Sequence, residues 1–232
     1  MQMTDNCELL SIFPTPVVKF KVPGELMDLV PDLKNRLNQY PRKTETHIIS
    51  ANSYVLHSTG FEALKSWLTA RTTEFMRLVL TIDSSATITQ SWINKNTPDQ
   101  YTHQHPHQNS IVSGVFYMDV PDGNALLVFH KRDNGGDGYF VIEPKYYGDE
   151  GRDYTFSSKT YKLPVSTGEL VLFPSWLIHS VPVNKTESDR WSLSFNSMTT
   201  ENLGSSARLT EFIYPKSSGV FFNEQPNLRN GA

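Results

Sequence analysis

Tyr101-Thr-His-Gln-His-Pro-His-Gln-Asn-Ser-Ile-Val-Ser113 is the stretch on which the reading of this chain turns. Its three histidines, His103, His105 and His107, stand at alternate positions. In an extended strand, residues i and i+2 point to the same face, so neighbours in this row can touch one object. Neutral imidazole is a ligand for zinc, copper, iron and nickel. The pair is 103/105 or 105/107. The second is favoured because His105 and His107 lie nearest the next strand and Pro106 stiffens the backbone between them. Two ligands do not close a site, and the best third is His179, in Leu172-Phe-Pro-Ser-Trp-Leu-Ile-His179. The bland alternatives are a solvated polar loop for the row and, for His179, a core histidine bonded to a backbone carbonyl.

Working outward, the strand that opens at Ser113 belongs to a β-rich half that begins at Thr87. Short runs at 87–94, 111–120, 125–129, 139–142, 159–163, 169–173, 179–183 and 190–197 are separated by Pro, Gly, Asn and Asp. About eight short strands with turn signals predict a closed or two-sheet β structure. The preceding half is helical. Leu26, Leu29, Val30, Leu33 and Leu37 recur at helical spacing and predict a helix over 25–39, with Pro31 as a possible true start. Residues 61–80 carry the longest helical pattern. Residues 9–22, interrupted by Pro14 and Pro16, read as an edge strand. Residues 41–59 read as irregular, with Ile48 and Ile49 a short extended piece. A turn-rich loop is expected at 133–138, a lid or long hairpin at 146–158, and a tail from 201 whose aromatics could dock on the body. The helices are expected on one outer face. A single domain of 232 residues is therefore expected, with helical support over 24–82, a β core over about 86–199 and a tail over 200–232.

Composition narrows the function classes. A formal charge of −3 argues against broad binding to nucleic acid or anionic membrane. The single cysteine, Cys7, excludes an internal disulfide framework and a thiolate zinc cage. The N-terminus has no signal-peptide pattern and no apolar run is long enough to span a bilayer, so a cytoplasmic location is expected. Oligomeric state is not written in the sequence, and a homodimer is among the options.

A second cluster of interest is Arg190-Trp-Ser-Leu-Ser-Phe-Asn196. Arg190, Ser192 and Ser194 share one face of this strand, and Trp191, Leu193 and Phe195 the other. An inward arginine is expensive to bury without an anionic partner. The partner is either a ligand carboxylate, gripped through two parallel hydrogen bonds with help from the Ser192 hydroxyl, or one of the protein's own acids. Tyr117 alternates in phase with Ser113 and Val115 and can point inward. Asn94 closes the run Gln-Ser-Trp-Ile-Asn and can hydrogen-bond a bound molecule. Trp92, Phe129 and Trp176 read as core or rim aromatics.

Phe13-Pro-Thr-Pro16, His105-Pro-His107-Gln-Asn-Ser-Ile-Val-Ser-Gly-Val-Phe-Tyr117, Leu172 to His179 and Arg190 to Asn196 together resemble the Fe(II)- and 2-oxoglutarate-dependent dioxygenase superfamily. Within it, the chain looks most like the small bacterial and phage 2OG-Fe(II) oxygenases of unassigned substrate. The resemblance implies a double-stranded β-helix, or jelly-roll, with N-terminal helices packed on one sheet. It implies Fe(II), 2-oxoglutarate and O2 as cofactor and co-substrates. The superfamily's usual triad, His-x-Asp/Glu with a distal His, falls on His105, His107 and His179, with a histidine where the carboxylate normally stands. The arginine and serine that hold the 2-oxoglutarate tail fall on Arg190 and Ser192, and Tyr117 and Asn94 are candidates beside them. The activity implied is hydroxylation of a small molecule or peptide side chain, with release of succinate and CO2. Two competing readings are a metal-binding jelly-roll without 2-oxoglutarate turnover and a three-histidine dioxygenase that does not use 2-oxoglutarate.

Overall fold

The computed structural model describes residues 14–123, 125–131 and 159–212. The expected strand at 139–142, the loop at 133–138, the lid at 146–158 and most of the tail lie outside the described residues.

The chain enters as strand β1 (Val18–Lys21), then short helix α1 (Gly24–Met27) and helix α2 (Val30–Gln39). The single helix expected over 25–39 is thus two. Pro31 sits in the first turn of α2, where its missing N–H costs nothing and its fixed φ favours helix entry. Residues 41–59 are less irregular than expected, because β2 (Pro41–Lys43) and β3 (Ile48–Ser50) form a hairpin. Helix α3 (Glu62–Glu74) runs into a π-helical turn, Phe75–Val79, so the pattern over 61–80 spans two helical geometries.

Eight core strands follow: β4 (Ala86–Asn96), β5 (Thr102–His105), β6 (Val112–Asp119), β7 (Leu126–His130), β8 (Thr160–Pro164), β9 (Glu169–Pro174), β10 (Ile178–Val181) and β11 (Arg190–Thr199). Apart from β7 and β8, which pair with each other, successive strands alternate between two antiparallel sheets, β1-β9-β6-β11-β4-β3-β2 and β5-β10-β7-β8, which is the strand order of a jelly-roll. β1 lies at a sheet edge, as its flanking prolines predict.

The period-two alternation of the strands builds two apolar layers. The first joins the helices to the outer face of the large sheet: Leu33, Leu37, Leu64, Leu68 and Phe75 pack with Ile93, Phe116, Leu172, Leu193 and Phe195. The second lies between the sheets and includes Val115, Leu127, Phe129, Val171, Phe173 and Leu177. Burying each large apolar side chain contributes roughly 1.5–3 kcal/mol before entropy is counted. Glycine is required at one crowded point. A Cβ on Gly114 would meet the Phe195 ring and stand 2.8 Å from Leu172 Cδ2. The inter-sheet layer is incomplete at one end, where polar residues replace apolar ones, and there the site forms.

Candidate metal and co-substrate site

His105 ends β5 and pairs directly across the antiparallel ladder with His179 on β10. Their ring centroids are 4.4 Å apart. The chain leaves β5 through Pro106 and returns the next side chain, His107, to the same place, 4.9 Å from the His105 ring and 5.1 Å from the His179 ring. The backbone N–H of His107 donates to the Ser175 carbonyl at 2.8 Å, which ties this loop to the β9–β10 turn. Two residues on, Asn109 takes a left-handed conformation (φ 53°), which asparagine tolerates better than most residues. One ligand nitrogen from each of His105, His107 and His179 lies within 4.8 Å of the other two. His103 is not in this group; its ring is 5.6 Å from that of His105.

Two of the rings are oriented alike. His105 Nδ1 lies 2.8 Å from the His103 carbonyl, and His179 Nδ1 lies 3.0 Å from the Leu177 carbonyl. A carbonyl only accepts, so each Nδ1 carries the proton and each Nε2 keeps its lone pair for the cluster. Burial, followed by the neighbouring imidazoles, holds His107 down to about 4. Burial, then the charge of His105, brings His179 to about 3. Burial also lowers His105, against the hydrogen bond to His103. All three are neutral near pH 7, the form that binds a metal. Trp92 packs 5.6 Å from the His107 ring and Phe173 4.7 Å from the His179 ring, which closes the apolar side of the cluster.

Arg190 opens β11 on the face turned between the sheets and is 2% exposed. Its Nη1 donates to the Leu126 carbonyl at 2.8 Å, and its guanidinium lies 5.2 Å from the Tyr117 ring centroid. Ser192 is the cross-strand partner of both Asn94 and Tyr117, so these three side-chain positions form one row across β4, β11 and β6. Asn94 Nδ2 donates to Ser194 Oγ at 2.8 Å. The Tyr117 hydroxyl is fully buried; among the described residues the Arg190 guanidinium interacts with it but does not meet it in ordinary hydrogen-bond geometry. Burial pushes it up to about 12, with the Arg190 charge acting the other way. Asn96, the cross-strand partner of Arg190, likewise leaves its Nδ2 buried and unbonded. An unbonded buried donor costs free energy, so two of them beside a guanidinium form a receptacle for an anion or carbonyl.

His105, His107, His179, Arg190, Ser192, Tyr117 and Asn94, drawn from five strands and the loop after β5, all line one cavity of about 270 Å³. Sequence reasoning missed His47 and Asn96 on the same wall, and Trp92 turns out to line the cavity too. Asn96 follows Asn94 by two positions on β4, so period two alone reaches it. His47 carries no such signal, because the β2–β3 hairpin that delivers it is held by the Thr44 hydroxyl bonding to its own backbone. Burial brings His47 to about 4 despite a hydrogen bond with Asn94. Of the other aromatics, Phe129 is core and Trp176 is exposed on the β9–β10 turn.

Residues 90–196 match a family model described as "Putative 2OG-Fe(II) oxygenase". That match places residues 90–196 in the 2OG-Fe(II) oxygenase superfamily. Oxygenases of this superfamily are oxidoreductases that use iron, 2-oxoglutarate and O2. Solved structures of low identity share its jelly-roll. The non-heme alpha ketoglutarate dependent carbocyclase SnoK from nogalamycin biosynthesis is 12% identical over 81% of each chain, with a TM-score of 0.59. The epimerase SnoN, solved with Fe3+, alpha ketoglutarate and nogalamycin RO, is 15% identical over 80% of this chain and 79% of its own, at 0.57. A Pseudomonas putida prolyl-4-hydroxylase is 12% identical over 78% of this chain and 92% of its own, at 0.54. No curated protein matches the oxygenase by sequence. No described helix is long and apolar enough to cross a membrane.

The donor set of the oxygenase fits an iron and a keto acid: three neutral imidazole nitrogens within reach of one ion, and unbonded donors beside a buried guanidinium. It differs from the superfamily's usual set in having His107 where a carboxylate is expected.

Proposed function

We propose that His105, His107 and His179 hold Fe(II), that Arg190 and Ser192 hold the distal carboxylate of 2-oxoglutarate, and that the enzyme hydroxylates a small molecule or peptide side chain. The observation that carries this reading is that the histidine cluster and the buried guanidinium line the same cavity. When bound, iron and 2-oxoglutarate supply the oxidising chemistry: one O2 is divided between succinate, formed with loss of CO2, and the hydroxyl of the product. The protein's work is positioning. The Leu126 carbonyl and the Tyr117 ring hold the Arg190 guanidinium on the cavity wall, where it can meet a carboxylate. Tyr117 and Asn94 flank Ser192 and supply further donors to the same molecule. Trp92 and Phe173 keep water from the histidine rings. The cavity lies just below the usual range for ligand sites, about 300–1,000 Å³, so with co-substrate bound only a small part of a substrate enters it.

Incubation of the protein with Fe(II), ascorbate and 2-oxoglutarate, assayed for succinate with and without Arg190→Ala, tests the proposal. Succinate from the wild type alone supports it. No succinate, together with no rise in melting temperature on adding 2-oxoglutarate, rejects it.

One observation favours a second reading. With His107 in the carboxylate position the ligand set carries no negative charge, as in a three-histidine dioxygenase that binds its organic substrate directly at the metal. Oxygen consumption that needs Fe(II) but not 2-oxoglutarate would select that reading.

A further inference from the structure

Behind the histidine cluster lies a chain of hydroxyls, buried at Ser113 and Ser175 and half-buried at Ser110, that the proposed chemistry does not use. Ser175, fully buried in the β9–β10 turn, has its Oγ 2.7 Å from Ser110 Oγ and 2.8 Å from Ser113 Oγ. Ser113 Oγ lies 2.9 Å from Asn196 Oδ1, and Ser110 Oγ lies 3.0 Å from the Ser197 carbonyl. Ser110 Oγ also lies 3.2 Å from the Val112 carbonyl and accepts from the Ser197 N–H at 3.2 Å. Along the line from Asn196 to the Ser197 carbonyl, four contacts join three hydroxyls, which hold only three protons. Nitrogen and oxygen of an amide have nearly the same shape. If the Asn196 amide nitrogen faces Ser113, the fourth proton is supplied. The bonds then run one way, from Asn196 to Ser113, Ser175, Ser110 and the Ser197 carbonyl, and each contact along that line has its proton. Hydrogen bonds in such a chain polarise one another.

The backbone of Ser175 adds a clasp. Its N–H donates to the Ile111 carbonyl at 3.0 Å, and its carbonyl accepts from the His107 N–H at 2.8 Å. Four residues further on stands His179. One residue therefore fixes the loop that carries His107 and begins the turn that leads to His179.

We propose that Ser175 is a positioning residue that sets His107 against His179 through this hydroxyl chain and backbone clasp. The inference rests on the metal-binding reading above. It gives work to Ser113, Ser175 and Asn196, which lie in the sequence stretches that carry the family resemblance but touch none of the proposed ligands of the iron through their side chains.

Titration of the metal-free protein with Co(II), followed by calorimetry and by the visible ligand-field spectrum, tests it. Ser175→Ala is compared with wild type and with Leu33→Ala, a variant of the helix layer remote from the cavity. The proposal expects Ser175→Ala to weaken Co(II) binding by about tenfold or more and to alter the spectrum, as loss of an outer partner does at metal sites. Leu33→Ala should lower the melting temperature and leave both readouts unchanged. Both serine variants keep the backbone clasp; should Ser175→Ala fail to fold, Ser110→Ala removes one link while leaving the Ser175 hydroxyl in place, and a smaller loss of affinity with an altered spectrum is expected. Affinity within about twofold of wild type for the folded serine variant, with an unchanged spectrum, overturns the positioning role and leaves the metal site standing. An equal loss in Leu33→Ala overturns it too. A wild type that binds no Co(II) overturns the metal reading itself, and the role of Ser175 with it.

Discussion

His105 and His179 stand opposite each other in the β5–β10 ladder, and each turns its Nδ1 to the carbonyl two residues before it. This shared geometry leaves two Nε2 atoms aimed at one point, and His107 brings a third nitrogen to it. Replacing His179 by alanine should therefore remove binding of Fe(II) or Co(II), whereas His103→Ala should retain it. Calorimetric titration of the two variants distinguishes the 105/107 pairing from the 103/105 pairing, because the latter predicts the loss in His103→Ala.

Arg190 is buried and already oriented, so its geometry matters as well as its charge. Arg190→Lys keeps the charge but loses the planar fork. The expected result is a rise of about tenfold or more in the KM for 2-oxoglutarate, the loss of one or two charge-assisted hydrogen bonds, with metal affinity unchanged. Succinate assays across a 2-oxoglutarate series provide the check.

The histidines also set a pH dependence for the metal-free protein. In the folded state His47 and His107 lie at about 4 and His179 at about 3, against 6.5 for the same groups in an unfolded chain. Between these values the unfolded state binds more protons, so stability rises with pH through that window. It is fully present above about pH 6.5 and is lost as pH falls toward 4 and then 3. Each well-buried histidine changes stability by at most about 1.4 kcal/mol per pH unit there. Urea unfolding at pH 7.5, 6 and 5 should give midpoints that fall only below neutrality, and less steeply in His47→Gln.

Gly114 should tolerate no side chain. The added Cβ of Gly114→Ala meets Phe195 and Leu172 in a layer with no slack. Overpacking of this kind costs about 1–3 kcal/mol. A drop in the urea midpoint with an unchanged m-value is the expected signature.

Much of this architecture was legible in residue patterns. Period-two alternation found seven of the eight core strands as separate runs and put Arg190, Ser192 and Ser194 on the inner face, because strand geometry leaves a side chain only two directions. Helical periodicity found the support layer, and Pro31 marked the start of α2, but the π turn after Glu74 was missed because it keeps apolar residues nearly in phase. Three alternating histidines marked the site, yet spacing alone could not choose between the two pairs. Pro106 and the His107–Ser175 hydrogen bond make that choice through a partner 68 residues away in sequence. His47 was invisible for the same reason. It reaches the cavity only because β3 docks beside β4, a tertiary pairing that local pattern does not encode.

The central claim is a single iron shared by histidines from two remote segments, with 2-oxoglutarate bound beside it. Anaerobic addition of Fe(II) and 2-oxoglutarate, followed by visible spectroscopy, tests it most directly. The account predicts a charge-transfer band of the chelated keto acid that saturates at one iron per chain and is absent in His179→Ala. No band in the wild type, or an equal band in His179→Ala, would contradict it.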